Sequence, residues 1–133
     1  MHSFAITVHY EDTDMGGVVY HANYLKFIER ARSDWVRALG VDQNALRDAG
    51  TVFAVHRIEA DFLAPARLDD RLEVHTDPVQ VSKARIVLKQ EVWRGETCLF
   101  RALATLVAMS LQGRPRRLPP QLAQLSEMIG GNA

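Results

Sequence analysis

The feature that most constrains this chain is one amphipathic helix followed by a series of strand-like runs. Between residues 23 and 39, Tyr24, Ile28, Ala31, Trp35 and Leu39 form a seam at helical spacing, reinforced by Leu25 and Phe27. Glu29, Arg30, Arg32, Asp34 and Arg37 supply the polar flanks. Asn23 is placed to cap the first turn, and Gly40 follows the last patterned residue as a C′ stop. A helix of about four and a half turns with one apolar stripe must bury that stripe against another layer.

Strands supply the layer. Phe4, Ile6, Val8 and Tyr10 alternate with Ala5, Thr7, His9 and Glu11, which predicts a first strand running to an acidic stretch. Residues 51–63 read as a second strand, stopped near Pro65, and residues 71–81, 82–94 and 96–111 as three more with short antiparallel connections. Pro78 implies an edge position or a bulge in the third. Residues 113–121 are turn-rich, and residues 121–129 have the pattern of a short final helix. The order predicts one α+β domain over residues 1–133, a largely antiparallel sheet wrapped around one helix. The last strand carries apolar or neutral residues on both faces, Cys98, Phe100, Ala102, Ala104, Leu106 and Ala108 against Leu99, Leu103 and Val107. A second subunit would cover the outer face; the terminal helix is the alternative.

Sixteen basic and sixteen acidic residues cancel, so bulk electrostatics gives no case for nucleic acid or an anionic membrane. Cys98 is the only cysteine, which excludes an internal disulfide and a multi-cysteine zinc site. No apolar run reaches the roughly 20 residues that span a bilayer, and the first residues alternate instead of forming a signal core. A soluble, cytoplasmic protein is the expectation.

The chemistry concentrates between Tyr10 and Tyr24, where Glu11, Asp12 and Asp14 precede Gly16, Gly17 and His21. Asp12, Asp14 and His21 are of the types that bind a metal, but no second clustered motif completes the set. Asp12 and Asp14 can equally cap turns while His21 packs beside the helix start; Asp12 reads as a turn residue and Glu11 as solvent-facing. The combination suggests a third use. Glycines let a ligand approach the backbone, and the first-turn N–H groups of a helix favour developing negative charge. A carbonyl held there would be polarised, with Asp14 as base or nucleophile. Acyl transfer then needs no serine, cysteine or metal.

The stretch containing Tyr10, Asp12, Thr13, Asp14, Gly17, Val18, Val19, Tyr20, His21, Tyr24 and Leu25 resembles the acyl-CoA thioesterases of the hotdog fold. The resemblance is to the bacterial branch associated with the Tol–Pal envelope system and related to 4-hydroxybenzoyl-CoA thioesterase. It continues through Glu29, Ala31 and Arg32, residues 63–74 and residues 113–119, so it covers nearly the whole chain.

The resemblance implies a hotdog fold, a long helix wrapped by a curved antiparallel sheet, with two subunits joining sheets into a homodimer and dimers pairing into tetramers. It implies hydrolysis of acyl-CoA to a free acid and coenzyme A between subunits, with no cofactor beyond the coenzyme A of the substrate. Asp14 would be the base or nucleophile. A backbone N–H at His21 would polarise the carbonyl, and the His21 side chain would bind substrate or move a proton. Tyr10 would orient the carboxylate or water, and Gly17 and Val18 would keep the carbonyl approach open. Tyr24 and Phe27 would line the acyl pocket. Arg114, Arg116 and Arg117 are candidates for the nucleotide phosphates or form a solvated turn, with Lys83 and Arg85 weaker candidates. His56 and Cys98 are expected to be packed. An acyl-carrier protein or a lipid-synthesis enzyme is the implied partner, at a cytoplasmic site that includes the inner-membrane periphery. The competing readings are a non-catalytic acyl-CoA or acyl-carrier-protein binding module and a metal-dependent hydrolase. The dehydratases of the same fold, with histidine-led chemistry, match less well.

Overall fold

A computed structural model describes residues 1–129. Strand β1 (His2–Thr7) leads through a short 3-10 turn (Tyr10–Asp12) to helix α1 (Asn23–Ala38) and a small helix α2 (Gln43–Asp48). Strands β2 (Val52–Phe62), β3 (Arg71–Val81), β4 (Arg85–Arg94) and β5 (Thr97–Met109) follow, and two short helices, α3 (Pro120–Ala123) and α4 (Leu125–Met128), complete the described chain. The strands form one antiparallel sheet in the order β1-β3-β4-β5-β2. Among the described residues, no helix is long and apolar enough to cross a membrane.

The apolar stripe of α1 is buried as its spacing predicts. Phe27, Ile28 and Ala31 lose all solvent contact, and Tyr24, Trp35 and Val36 nearly all of it. Each large side chain so buried contributes about 1.5–3 kcal/mol against its exposed state. The stripe lies on the sheet face made by Leu72, Val74, Val92, Phe100 and Ala102 toward the first half of the helix, and by Ile86, Leu88, Leu106 and Ala108 toward the second. Gly40 ends the helix in the left-handed conformation, φ +88°. Its N–H bonds Arg37 O at 2.9 Å, and the Val41 N–H bonds Val36 O at 3.2 Å, a Schellman closure in which Val36 and Val41 share one cluster.

Several local expectations change. β1 stops at Thr7, because the chain turns at Tyr10; Val8 is buried but Tyr10 is 83% exposed. Asn23 is not the cap: Ala22 precedes the helix with no side-chain bond, and Asn23 is buried inside the first turn. Leu25 faces solvent, while Arg32, read as a flank, is buried. Of the two positions expected for Pro78, the structure shows the bulge, between Pro78 and Gln80, in a strand internal to the sheet. The terminal helix is broken at Gln124 into α3 and α4, yet Leu118, Leu122 and Leu125 still cap the core. The polar loop after α1 contains α2, whose cap Asp42 accepts from the N–H groups of Asn44 and Ala45. His56 is exposed, at a register shift between Val55 and Arg57, and Cys98 is half-buried.

β2 is the long edge of the sheet: one side pairs with β5, and no strand of the described chain covers the other. Val55, Phe62 and Leu63 are exposed along it.

Candidate active site

The acidic stretch folds into a small hairpin over the start of α1. Thr13 bridges Val19, the Asp14 N–H donates to Val18 O at 2.9 Å, and the Gly17 N–H donates to Asp14 O at 3.0 Å. Gly17 takes φ +76° at the end of this turn, a conformation that costs a residue with a Cβ. One arm of the hairpin presents the Asp14 side chain, and the other runs through Val18, Val19 and Tyr20 into the helix.

Asp12 and Asp14 differ completely in surroundings. Asp12 is 3% exposed; its Oδ2 accepts the His9 N–H at 2.8 Å and its Oδ1 accepts Asn23 Nδ2 at 2.9 Å. Its carbonyl accepts the Tyr20 N–H at 2.9 Å. Asp12 is therefore a strut between the hairpin and the helix. Asp14 is exposed, and its Oδ1 accepts only the Gly16 N–H, at 2.8 Å. Glu11 is exposed as well. Among the described residues, no group of three or more His, Cys, Asp or Glu is gathered as a metal would need.

Past the hairpin, the amides of Val19 and Tyr20 are taken by Ala66 O and Asp12 O. The amides of His21 and Ala22, at the entrance to α1, have no hydrogen-bond acceptor among the described residues. His21 itself is exposed, with its ring 4.6 Å from Tyr20 and 6.2 Å edge-on from Phe62. Tyr24 lies deeper, 4% exposed, stacked on Phe100 at 4.9 Å and edge-on to Phe27 and Phe62. Its hydroxyl accepts the Ala66 N–H at 3.2 Å, and burial pushes its pKa up. Tyr24 thus backs the site from the core. The Tyr10 hydroxyl has no hydrogen-bond partner among the described residues, and none of them holds it to Asp14.

Residues 65–70 support the hairpin from behind, which sequence reasoning missed. Ala66 accepts from Val19 and donates to Tyr24, and Arg67 bridges Val18. The segment is clamped by Arg94, whose Nη1 donates to Pro65 O at 3.1 Å and to Asp70 Oδ2 at 2.9 Å. Partial burial raises the Asp70 pKa, but the Arg67 N–H and the Arg94 guanidinium outweigh it and hold the carboxyl below its ordinary value.

The three arginines of residues 114–117 do not join this site within one chain. They follow β5, whose Phe100 end lies beside Tyr24 and whose Met109 end pairs with Pro115. Those positions are nine residues apart along the strand, roughly 30 Å. The arginines also diverge: Arg116 approaches Gly50, just ahead of β2, whereas Arg117 shares a separate cleft with Lys83.

A long helix wrapped by an antiparallel sheet in this strand order, with a reactive-looking hairpin at its amino end, is the hotdog fold of thioester-processing proteins. The sequence pattern of the Thioesterase superfamily matches residues 16–99, and the chain belongs to that family. It is 39% identical over 119 residues to the acyl-CoA thioester hydrolase YbgC of Escherichia coli O157:H7, covering 88% of this chain and 89% of that protein. Identity to the acyl-CoA thioesterase YbgC of Haemophilus influenzae is 40% over 110 residues, 82% and 81% of the two chains. Among solved structures, the 1,4-dihydroxy-2-naphthoyl-CoA thioesterase Slr0204 of Synechocystis superposes with a TM-score of 0.83 at 26% identity, covering 93% of both chains.

Proposed function

We infer that this protein hydrolyses acyl-CoA thioesters to a free carboxylic acid and coenzyme A. The observation that carries the reading is an exposed Asp14 carboxylate on the hairpin that leads into α1, where the amides of His21 and Ala22 have no hydrogen-bond acceptor among the described residues. The superfamily match and the acyl-CoA activities named for the relatives agree with it.

The chemistry follows from the groups available. Asp14 takes a proton from water as it attacks the thioester carbon, or attacks that carbon itself to form a mixed anhydride that water then cleaves. The carbonyl oxygen gains negative charge, which the His21 and Ala22 amides and the helix dipole stabilise. The carbon–sulfur bond breaks and coenzyme A leaves as a thiolate, a good enough leaving group that no serine-type triad is required. Gly17 and Val18 leave the approach open, the His21 ring and Tyr10 reach the substrate from the exposed side, and Tyr24 backs the acyl group.

A dimer completes the site in this reading. Pairing of two β2 edges about a two-fold axis would bring the Phe62 end of one strand beside the Val52 end of the other. Arg116, held near Gly50, would then be carried toward Asp14 of the other subunit to bind the coenzyme A phosphates, while Arg117, in its separate cleft with Lys83, would not share that contact. Association of dimers into a tetramer, a cytoplasmic site near the inner membrane, and an acyl-carrier protein or lipid-synthesis enzyme as partner belong to the same reading.

Thiol release from a panel of short, long, branched and aromatic acyl-CoAs tests the function. Asp14→Asn is expected to lower kcat by about 10²-fold or more, the range of a lost general base or nucleophile. Equal rates for the two proteins would remove Asp14 from the mechanism, and no release by the wild type from any substrate would end the hydrolase reading. Saturable acyl-CoA binding without turnover would then favour a binding module.

A further inference from the structure

Among the described residues, one buried cation makes no ion pair. Arg32 projects from the middle of α1 and is 8% exposed, yet no Asp or Glu oxygen of the described residues lies within ion-pair distance of it. Its Nη1 donates to Gln90 Oε1 at 3.0 Å. Gln90 is fully buried and fixed in turn, its Nε2 donating to Ile28 O at 2.9 Å and Thr76 Oγ1 at 3.0 Å. The guanidinium has five N–H donors, and this network satisfies one of them. Partial withdrawal of a cation from water is costly; burial pushes the pKa of Arg32 down, and the charge of Glu29 opposes the shift without a direct ion pair.

Arg32 also lines a cavity of about 170 Å³ between α1 and β2, with Ser33 and Val36 on the helix side and Phe53 and Leu106 on the sheet side. Glu29 borders the same cavity, but it is exposed and accepts from Ser33 Oγ at 3.3 Å. The result is a small space with Val36, Phe53, Ala54, Val55 and Leu106 as its apolar walls, Ser33 and Gln43 as polar ones, and one cationic group fixed by Gln90, a site for a ligand with an apolar stem that ends in an anion. The cavity is lined by Phe53, Ala54 and Val55 of β2, whereas the Asp14 hairpin leads into His21, whose ring lies against Phe62 at the other end of that strand. Two-fold pairing of the β2 edges would put the cavity of one subunit beside the Asp14 hairpin of the other.

We propose that this cavity receives the far end of the acyl group being cleaved in the neighbouring subunit, and that Arg32 binds a second carboxylate there. The substrate class is the monothioester of a dicarboxylic acid with coenzyme A. The proposal rests on the thioesterase and dimer readings above and names the acyl group they leave open.

The test is steady-state thiol release from length-matched pairs: glutaryl- and valeryl-CoA, adipoyl- and hexanoyl-CoA, suberoyl- and octanoyl-CoA. For the pair whose length fits, kcat/KM of the wild type is expected to favour the acid-ended member by about tenfold or more. Arg32→Gln is expected to lower that ratio by about tenfold, with Arg32→Lys retaining more of it. The ratio is taken within one preparation, so loss of folded enzyme cancels. A wild-type ratio at or below one for every pair overturns the proposal, as does an unchanged ratio in Arg32→Gln. Equal loss on both members together with dissociation into monomers assigns Arg32 to a carboxylate of the other subunit, and also overturns it. Absence of release from all six substrates and from the wider panel removes the thioesterase reading itself, a result distinct from the others.

Discussion

Asn23 and Asp12 are joined by a buried hydrogen bond of 2.9 Å, Asn23 Nδ2 donating to Asp12 Oδ1. This bond ties the Asp14 hairpin to the first turn of α1, and the second oxygen of Asp12 holds the His9 N–H. Asp12→Ala would leave two donors without acceptors, one of them a buried side chain. Each unsatisfied buried donor costs about 1–3 kcal/mol, so the urea midpoint should fall clearly. Asp12→Asn should also destabilise, because one oxygen becomes a donor facing a donor. Asp14→Asn, by contrast, changes an exposed side chain and should leave the midpoint nearly unmoved while removing turnover.

The two neighbouring glycines should separate in the opposite sense. A Cβ on Gly16 would lie 3.2 Å from Asp14 Oδ1, with no unfavourable φ to adopt. Gly16→Ala should therefore displace the carboxylate and lower kcat while stability holds. A Cβ on Gly17 meets nothing within 4 Å but must accept φ +76°. Gly17→Ala should cost about 1 kcal/mol of stability through the backbone alone. Parallel kcat and urea measurements on the two variants check both halves.

The legible parts of this molecule were those in which spacing determines burial. The α1 stripe and the β2 to β5 runs could be read because a residue's face follows from its position in a period of 3.6 or 2. Arg32 was misplaced because its charge suggested a flank, although it follows Ile28 by four positions and so shares that residue's face. Within the site, Asp12 was read as structural and Asp14 as the reactive candidate; burial of Asp12 agrees with the first, but the sequence did not show what holds Asp12, since Asn23 reads first as a cap. Arg116 and Arg117 are adjacent in sequence, and an extended segment turns them apart. The clamp of Arg94 on residues 65–70 had no local signal, because its two ends are brought together only by the sheet.

That clamp should be visible in the pH dependence of stability. Asp70 has a folded-state pKa below its ordinary value, so its contribution is fully present above the unfolded carboxylate pKa of about 3.9. It is lost as pH falls through the lower folded value. Urea midpoints should therefore be flat from pH 7 to about 5 with respect to this group and decline below about 4. Arg94→Gln removes the charge that holds Asp70 down and should shallow the acid decline. It should not abolish it, because Glu91 is depressed in the same sense: burial raises its pKa, but the Arg101 hydrogen bond and the nearby Arg101 and Lys89 charges together outweigh that effect. An acid limb unchanged by Arg94→Gln would show that the ion pair contributes nothing to stability, as exposed pairs often do not.

The sharpest expectation concerns how two half-sites combine. Within one chain Arg116 and Asp14 lie at opposite ends of the sheet, and only pairing of the β2 edges would bring one subunit's arginine to the other's carboxylate. Asp14→Asn lacks the reactive group in both sites of its dimer, and Arg116→Ala lacks the phosphate contact in both. Exchange of subunits between the two proteins yields mixed dimers in which one site carries both defects and the other carries neither. At equal amounts, half the dimers are mixed and each has one intact site, so about a quarter of wild-type activity should return at limiting acyl-CoA. A site built within a single chain predicts no recovery beyond the sum of the separate variants. Val55→Asp, which places a charge on the exposed β2 edge, should block the exchange and the recovery together, with sedimentation reporting monomers.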